Sequence, residues 1–277
     1  MTLGSVAEDR NEALLAWYAV QRRPLPWRST TDPYPILVAE VMSQQTQITR
    51  VVAHWELFMA AFPTVGDLAA APLADVLRAW SGLGYNARAK RLQEAARIVV
   101  SEGWPADAEG LARLPGIGEY TGRAVAAFAY GERVAAIDTN LRRVLSRWHG
   151  ERLDGAALER AAEESMDDDA SRWNQAVMDL GAAVCRPRDP ACSSCPVDAW
   201  CAGPDVYQPP KAQARFEGSK RQVRGAVIRR LAMAESTFDQ LAGATGFSPD
   251  ELGEALDGLI ADGLVEESDE GRLRLPD

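Results

Sequence analysis

The sequence predicts a mainly α-helical protein with a small winged-helix-like module at its C-terminal end. Three observations predict it. Apolar residues recur at helical spacing through most of residues 1–200. No convincing strand alternation precedes residue 220. Beyond a stretch rich in Pro and Gly, helical patterns give way to two short segments of strand type.

The elements follow in order. Leu14, Leu15, Trp17 and Tyr18 stand at helical spacing within residues 9–20. Arg23-Pro-Leu-Pro-Trp-Arg then forces an extended segment, because each proline disfavours helix in the residue before it. Amphipathic patterns predict helices from Pro35 to Val52, Val52 to Ala60, Leu73 to Trp80 and Ala87 to Val100, parted by loops such as Phe62-Pro-Thr-Val-Gly. Leu114-Pro-Gly-Ile-Gly reads as a tight joint between two helices, and Leu141 to Trp148 as a further helix. Pro204 to Gly218, with Pro209-Pro210, reads as a linker. After it come helices at Gln222 to Ala234, Thr237 to Thr245 and Ser248 to Asp262. Gly263-Leu-Val-Glu-Glu and Gly271-Arg-Leu-Arg-Leu complete the pattern as a two-stranded wing.

At 277 residues and 47% hydrophobic, the chain can bury the cores of two domains and a small third. Its first ten residues are polar and acidic, unlike a secretion signal, and no stretch approaches the ~18 apolar residues of a membrane span. The expectation is a soluble cytoplasmic protein, associated with the nucleoid through DNA, with no membrane partner. The net charge of −10 is unevenly placed: from Ala232 onward twelve Asp and Glu face only Arg272 and Arg274, so residues 1–231 balance at zero. Bulk acidity therefore does not exclude nucleic acid, since local Lys and Arg clusters set phosphate affinity. For the acidic C-terminal module itself, macromolecular contacts are expected rather than DNA binding.

Four residue patterns carry chemistry. Cys185, Cys192, Cys195 and Cys201 are spaced C-x6-C-x2-C-x5-C. Four thiolates suit a [4Fe–4S] cluster and also a tetrahedral zinc ion, and both remain open at this point. A disulfide pairing fits a reducing cytosol poorly. Leu114-Pro-Gly-Ile-Gly would let backbone amides at Gly116, Gly118 and the following helix meet a phosphate, or it is an ordinary helix–helix turn. Asp138 stands just before a helix and would cap it, in a position where the helix dipole favours its ionised form. Glu40 lies in the apolar run Ile36-Leu-Val-Ala-Glu-Val-Met. It is either a surface residue on a polar face or, if buried, a carboxyl kept protonated for general acid work. Two carboxylates in different surroundings can divide labour, as in glycosidases.

Taken together these segments resemble the adenine DNA glycosylase (MutY) family of the helix-hairpin-helix, or endonuclease III, superfamily. The resemblance covers residues 9–203 and rests on Leu25-Pro-Trp-Arg, Ala39-Glu-Val-Met-Ser-Gln-Gln-Thr-Gln, Trp80-Ser-Gly-Leu-Gly-Tyr, Leu114-Pro-Gly-Ile-Gly-Glu-Tyr, Asp138-Thr-Asn, Asn174-Gln-Ala-Val-Met-Asp-Leu-Gly and the cysteine spacing. It implies a two-lobed helical glycosylase fold. Residues 1–29 and 133–208 would form the iron–sulfur domain and 30–132 a six-helix barrel with the hairpin. Residues 209–221 would be the linker, and 222–277 the winged-helix-like module. It implies a monomer acting on duplex DNA that contains a mispair. Base excision would remove adenine opposite 8-oxoguanine or guanine.

Carried over residue by residue, Glu40 would protonate the flipped adenine at N7. Asp138 would stabilise the oxocarbenium ion, and Tyr120 would contact the reaction centre. Trp27, Arg28, Ser43, Ile48 and Gln175 would line the base pocket. Gln45, Thr46, Leu83 and Tyr85 would meet the duplex beside the lesion, Gly116 and Gly118 a phosphate, and Arg186 and Arg188 the DNA near the cluster held by the four cysteines. Carbonyls of Ala112, Leu114 and Ile117 would hold a monovalent cation. Bifunctional relatives place a Lys at position 120, and tyrosine cannot form a Schiff base, so a monofunctional glycosylase is implied. Ser43 stands where the family has Leu, and Asn86 where a second Tyr often follows. The large Nudix-like C-terminal domain of many members is missing, as in short actinobacterial forms. Two alternatives are a thymine or uracil mismatch glycosylase and a non-catalytic iron–sulfur DNA-binding regulator. His54 and His149 receive no role.

Overall fold

The computed structural model describes residues 3–207 and 215–277, with side chains from residue 7 onward. The described residues hold fourteen α-helices and one two-stranded sheet. They divide into two compact units, the first built from residues 1–36, 105–113 and 117–211, the second from 37–104, 114–116 and 212–277.

The first unit contains α1 (Leu3–Gln21), the short α7 (Ala108–Ala112), α8 (Glu119–Tyr130), α9 (Thr139–His149), α10 (Gly155–Ser165) and α11 (Ala170–Ala183). Its core gathers Leu14 and Tyr18 of α1, Val144, Leu145 and Trp148 of α9, and Trp173, Val177 and Leu180 of α11. Burial of each such side chain stabilises by about 1.5–3 kcal/mol. Polar groups that enter this core are matched. The Trp173 indole N–H donates to Asn11 Oδ1 at 3.2 Å, and Asn11 Nδ2 donates to the Ser165 carbonyl at 3.0 Å. Gly122 shows why α7 and α8 approach so closely: a Cβ there would lie 2.7 Å from the Ala108 carbonyl.

The second unit begins within α2 (Pro33–Ser43) and continues through α3 (Ile48–Ala61), α4 (Val65–Ala70), α5 (Leu73–Ala79) and α6 (Ala87–Glu102). Phe58 packs edge-on against Phe62 and Trp80. The helix expected from Pro35 to Val52 is two helices. It stops at Ser43 because Gln45 adopts φ 55°, a left-handed conformation that no α-helix can pass through.

The C-terminal residues of this unit form α12 (Lys220–Leu231), α13 (Phe238–Thr245), α14 (Pro249–Ala261) and antiparallel strands β1 (Glu266–Glu267) and β2 (Leu273–Arg274). This is the expected order of helices and wing. The Pro209-Pro210 part of the linker lies outside the described residues, and its last residues, Lys220 and Arg221, already belong to α12. Capping boxes start α13 at Thr237 with Gln240 and α14 at Ser248 with Glu251. Leu231, Leu241, Leu252, Leu259, Leu264 and Leu273 form the module's interior. Three bonds tie it to earlier helices of the same unit: Arg78 Nε to the Ala232 carbonyl at 3.0 Å, Lys90 Nζ to the Asp262 carbonyl at 2.8 Å, and the Ala74 amide to the Pro276 carbonyl at 2.8 Å. Among the described residues no helix is long and apolar enough to cross a membrane.

Candidate active site

Asp138 caps α9. Its Oδ1 accepts the amides of Asn140 at 2.8 Å and Leu141 at 2.7 Å, while Oδ2 accepts Asn140 Nδ2 at 2.6 Å. Burial pushes this carboxyl above its ordinary range. The hydrogen bonds from Leu141 and Asn140, and the charge of Arg143, pull down without reversing the shift. The segment leading to Asp138 is pinned by Asn174, a fully buried residue of α11. Its Oδ1 accepts the Ala136 amide at 2.8 Å, and its Nδ2 donates to the Val134 carbonyl at 2.9 Å. Tyr120 stands in the first turn of α8, half-buried against the same core.

Beneath Asp138, α9 also holds the cysteine loop. Arg143 donates to Asn140 Oδ1 at 2.7 Å and to the Cys185 carbonyl at 2.6 Å. One turn on, Arg147 Nη1 lies 3.2 Å from Cys185 Sγ and 2.8 Å from the Arg186 carbonyl. The carboxylate and the thiol loop are thus joined through Asn140 and Arg143. All four cysteines are free thiols and half-buried. Burial pushes the Cys195 thiol up to about 11, with Cys185 and Cys201 acting in the same direction, and burial likewise raises Cys201 beside Cys185 and Cys192. Among the described residues no three His, Cys, Asp or Glu side chains converge as ligands of a single ion. Arg186 and Arg188 are exposed on the loop.

Three of the expected pocket residues come together in the first unit. Trp27 is buried in a short 3-10 helix, Pro26–Ser29. Its neighbour Arg28 makes a fork to Asp179, 2.7 Å from Nη1 to Oδ2 and 2.9 Å from Nη2 to Oδ1. The Arg28 guanidinium also lies 5.6 Å from the centre of the Tyr18 ring, and Tyr18 OH donates to Gln175 Oε1 at 2.9 Å. Asp179 is 1% exposed and takes Arg23 as well, through Nε at 2.6 Å. Burial alone would raise its carboxyl. The hydrogen bonds and charge of Arg28, then of Arg23, outweigh burial and hold it below the ordinary range.

Glu40 belongs to the second unit. Every residue from Ile36 to Met42 is buried, and Glu40 itself is 7% exposed. A polar surface face is therefore not available to it. Ser43 and Ile48, both half-buried, flank the tight turn after α2.

That turn carries Gln45, and a second one carries Tyr85 at φ 49°, both exposed. Non-glycine residues in this region cost of order 1–3 kcal/mol and persist only where the surroundings hold them. The holder is Arg88. Its Nη1 donates to the carbonyls of Val41, Met42 and Gln44 at 2.8, 3.1 and 2.6 Å. Its Nη2 donates to Thr46 Oγ1 at 3.2 Å and to the carbonyls of Leu83 and Gly84 at 3.3 and 3.0 Å. One guanidinium therefore caps the C-terminal end of α2 and closes the Tyr85 loop. Burial lowers Arg88 to about 10, which leaves it charged at neutral pH. Leu83, expected to meet DNA, is 4% exposed, so its side chain anchors the loop within the unit. At the hairpin, Gly116 has φ 74° and a Cβ there would fall 2.8 Å from Arg91 Cβ. Gly118 has ordinary φ, and a Cβ there would meet nothing within 4 Å. Sequence reasoning gave no role to Arg88, Arg143, Arg147, Asn174 or Asp179. Only the segment Asn174–Gly181 drew notice, as part of the resemblance.

The model of the HhH-GPD superfamily base excision DNA repair protein matches residues 38–167. An adenine DNA glycosylase of Mycobacterium tuberculosis is 41% identical over 95% of this chain and 92% of the relative. That of Mycolicibacterium smegmatis is 42% identical over 95% and 94%. The human adenine DNA glycosylase is 40% identical over 68% of this chain and 38% of the human protein. Among solved structures, a thermostable thymine-DNA glycosylase superposes with TM-score 0.68 at 29% identity, covering 73% of this chain and 97% of that one. A non-covalent endonuclease III–DNA complex, at TM-score 0.62 and 24% identity, covers 73% and 95% and shares the fold. The chain belongs to the adenine DNA glycosylase family of the HhH-GPD superfamily.

Proposed function

We propose that this glycosylase hydrolyses the N-glycosidic bond of adenine mispaired with 8-oxoguanine or guanine in duplex DNA, as a monomer and without a lyase step. The observation that carries the mechanism is the Asp138 carboxylate, held by three N–H donors and aimed by the N-terminus of α9. In this reading the adenine flips out of the stack. Glu40, a carboxyl in an apolar helix, donates its proton to N7. The bond from the sugar C1′ to N9 breaks, adenine leaves with the electron pair, and Asp138 faces the positive charge on the sugar. Water adds at C1′, loses a proton to a carboxylate, and leaves an abasic site. Arg28, oriented by Asp179, and Gln175, bonded to Tyr18, supply polar walls around Trp27 for the base. Tyr120 offers no amine, so no Schiff base forms.

The donor set of four thiols on one loop fits a [4Fe–4S] cluster on Cys185, Cys192, Cys195 and Cys201. A cluster takes one thiolate at each iron, whereas a single zinc ion asks four sulfurs to converge. When bound it would fix the loop and present Arg186 and Arg188 to phosphates, since hydrolysis needs no electron transfer. A monovalent cation would sit at the carbonyls of Ala112, Leu114 and Ile117. The proposed division is an iron–sulfur domain of 1–29 with 133–208 and a barrel of 30–132; it differs from the two compact units in giving residues 30–36, 105–113 and 117–132 to the barrel. The setting is a reducing cytoplasm.

The test incubates the protein with duplexes holding A, T or U opposite 8-oxoguanine or guanine, then applies alkali to cut abasic sites. Adenine release, with no protein–DNA adduct trapped by borohydride, is expected. Release from T or U but not A would overturn the substrate, and a trapped adduct would overturn the monofunctional step.

A further inference from the structure

The glycosylase reading leaves the C-terminal module without a task, and the module's acidity pointed away from DNA. Its charge is not uniform. The twelve acidic residues lie from Glu235 onward, whereas α12 brings Lys220, Arg221, Arg224, Arg229 and Arg230. Within the second unit, α12 and the end of α14 form one wall of a cleft of about 750 Å³, and the Gln45 turn, the Tyr85 turn and the start of α6 form the other. Six arginines line it: Arg50, Arg88, Arg91, Arg221, Arg224 and Arg229. The single acidic lining residue is Asp262, which pairs with Arg224. Arg88 is committed to the two turns. Arg50, Arg91 and Arg229 are exposed, and among the described residues none of the three is in an ion pair. Arg221 reaches across to the wall opposite, donating to Tyr85 OH at 2.9 Å with its guanidinium 5.8 Å from the ring centre.

We propose that the C-terminal module is part of the DNA-binding surface. Arg221 and Arg229 of α12, with Arg50 and Arg91 across the cleft, grip the sugar–phosphate backbone of duplex DNA where it passes the Gln45 and Tyr85 tips. This rests on the glycosylase reading above. A cleft that concentrates positive charge on both walls attracts a polyanion, and arginine's planar fork suits phosphate oxygens. Arg221 has a second task in the same place: it holds the Tyr85 ring at the rim from the module's side. Two of the module's acids, Glu254 and Asp262, pair with Lys220 and Arg224 of α12.

The test measures affinity of the full chain for an adenine·8-oxoguanine duplex by fluorescence anisotropy across a salt series. Each phosphate contact contributes about 0.9 to the slope of log K against log salt. The Arg221→Gln/Arg229→Gln double variant is therefore expected to lose about two from that slope and roughly 10- to 100-fold in affinity near 0.1 M salt. The Arg229→Lys variant, which keeps a point charge, is expected to stay within a few-fold of the parent. An Arg272→Gln/Arg274→Gln pair removes the same charge from the wing and is expected to leave the slope unchanged. An unchanged slope in the α12 double variant overturns the proposal, as does an equal loss in the wing pair, which would show bulk charge alone. Failure of the glycosylase reading registers separately, as wild-type protein that leaves adenine in every duplex.

Discussion

At the scale of the residue, two aspartates in one unit move in opposite directions for reasons that can be named. Asp179 is buried between two arginines, and its carboxyl stays ionised below the ordinary range. Asp138 is buried against neutral donors, and burial carries it above the ordinary range. A carboxyl raised on folding favours its protonated form in the native state. It stabilises the fold only at low pH, and that contribution is lost as pH rises through the folded value. Wherever the pH ionises it, Asp138 is thus a cost to stability. The Asp138→Asn variant is expected to lose adenine release while melting at an equal or higher temperature at pH 7.5, the difference fading as pH falls toward 4. Thermal denaturation at both pH values checks this, and a lower melting temperature at pH 7.5 would contradict it. Asp138 was legible in the sequence because capping is local: a carboxylate before a helix finds its partners two and three residues on. Asp179 was not, since its partners lie 151 and 156 residues away and nothing near it in the chain announces them.

Among the elements, helix type and order were readable because apolar spacing and caps act within a few residues. The break in the helix expected from Pro35 to Val52 was not readable. No proline or glycine marks it. It is imposed by Arg88, whose acceptors are backbone carbonyls 44 to 47 residues earlier, and carbonyls carry no sequence signal. Replacing Arg88 by Ala would leave several carbonyls in the interior without a donor and release two left-handed turns. The expected loss is about 3 kcal/mol or more in unfolding free energy. Arg88→Lys should recover only part of it, because an ammonium cannot span six acceptors in two directions. Urea denaturation measures the loss. Amide hydrogen exchange should show faster exchange concentrated at residues 43–47 and 82–86, and uniform exchange would argue against the clamp.

For the molecule as a whole, each unit has its own interior, and the cysteine loop belongs to one of them. Metal binding that depends on folding contributes to the stability of the part that binds. Cys195→Ser is therefore expected to abolish visible iron–sulfur absorbance. It should also lower the melting of the first unit while leaving a transition from the second, seen as separated peaks in calorimetry. A single unshifted transition would refute the idea. The cysteine spacing, Glu40 and Asp138 were visible in sequence, since each is a pattern of residue types. The basic cleft of the C-terminal module was hidden because the charge count places α12 within residues 1–231, whose opposite charges cancel. The sharing of α9 has a consequence for a damaged enzyme. Arg143 joins the backbone at Cys185 to the residue that holds Asp138, so a displacement of the cysteine loop is passed on to the grip on the carboxylate. A glycosylase built this way is expected to fail silent: damage to its cysteine loop should stop the cutting instead of releasing bases without discrimination.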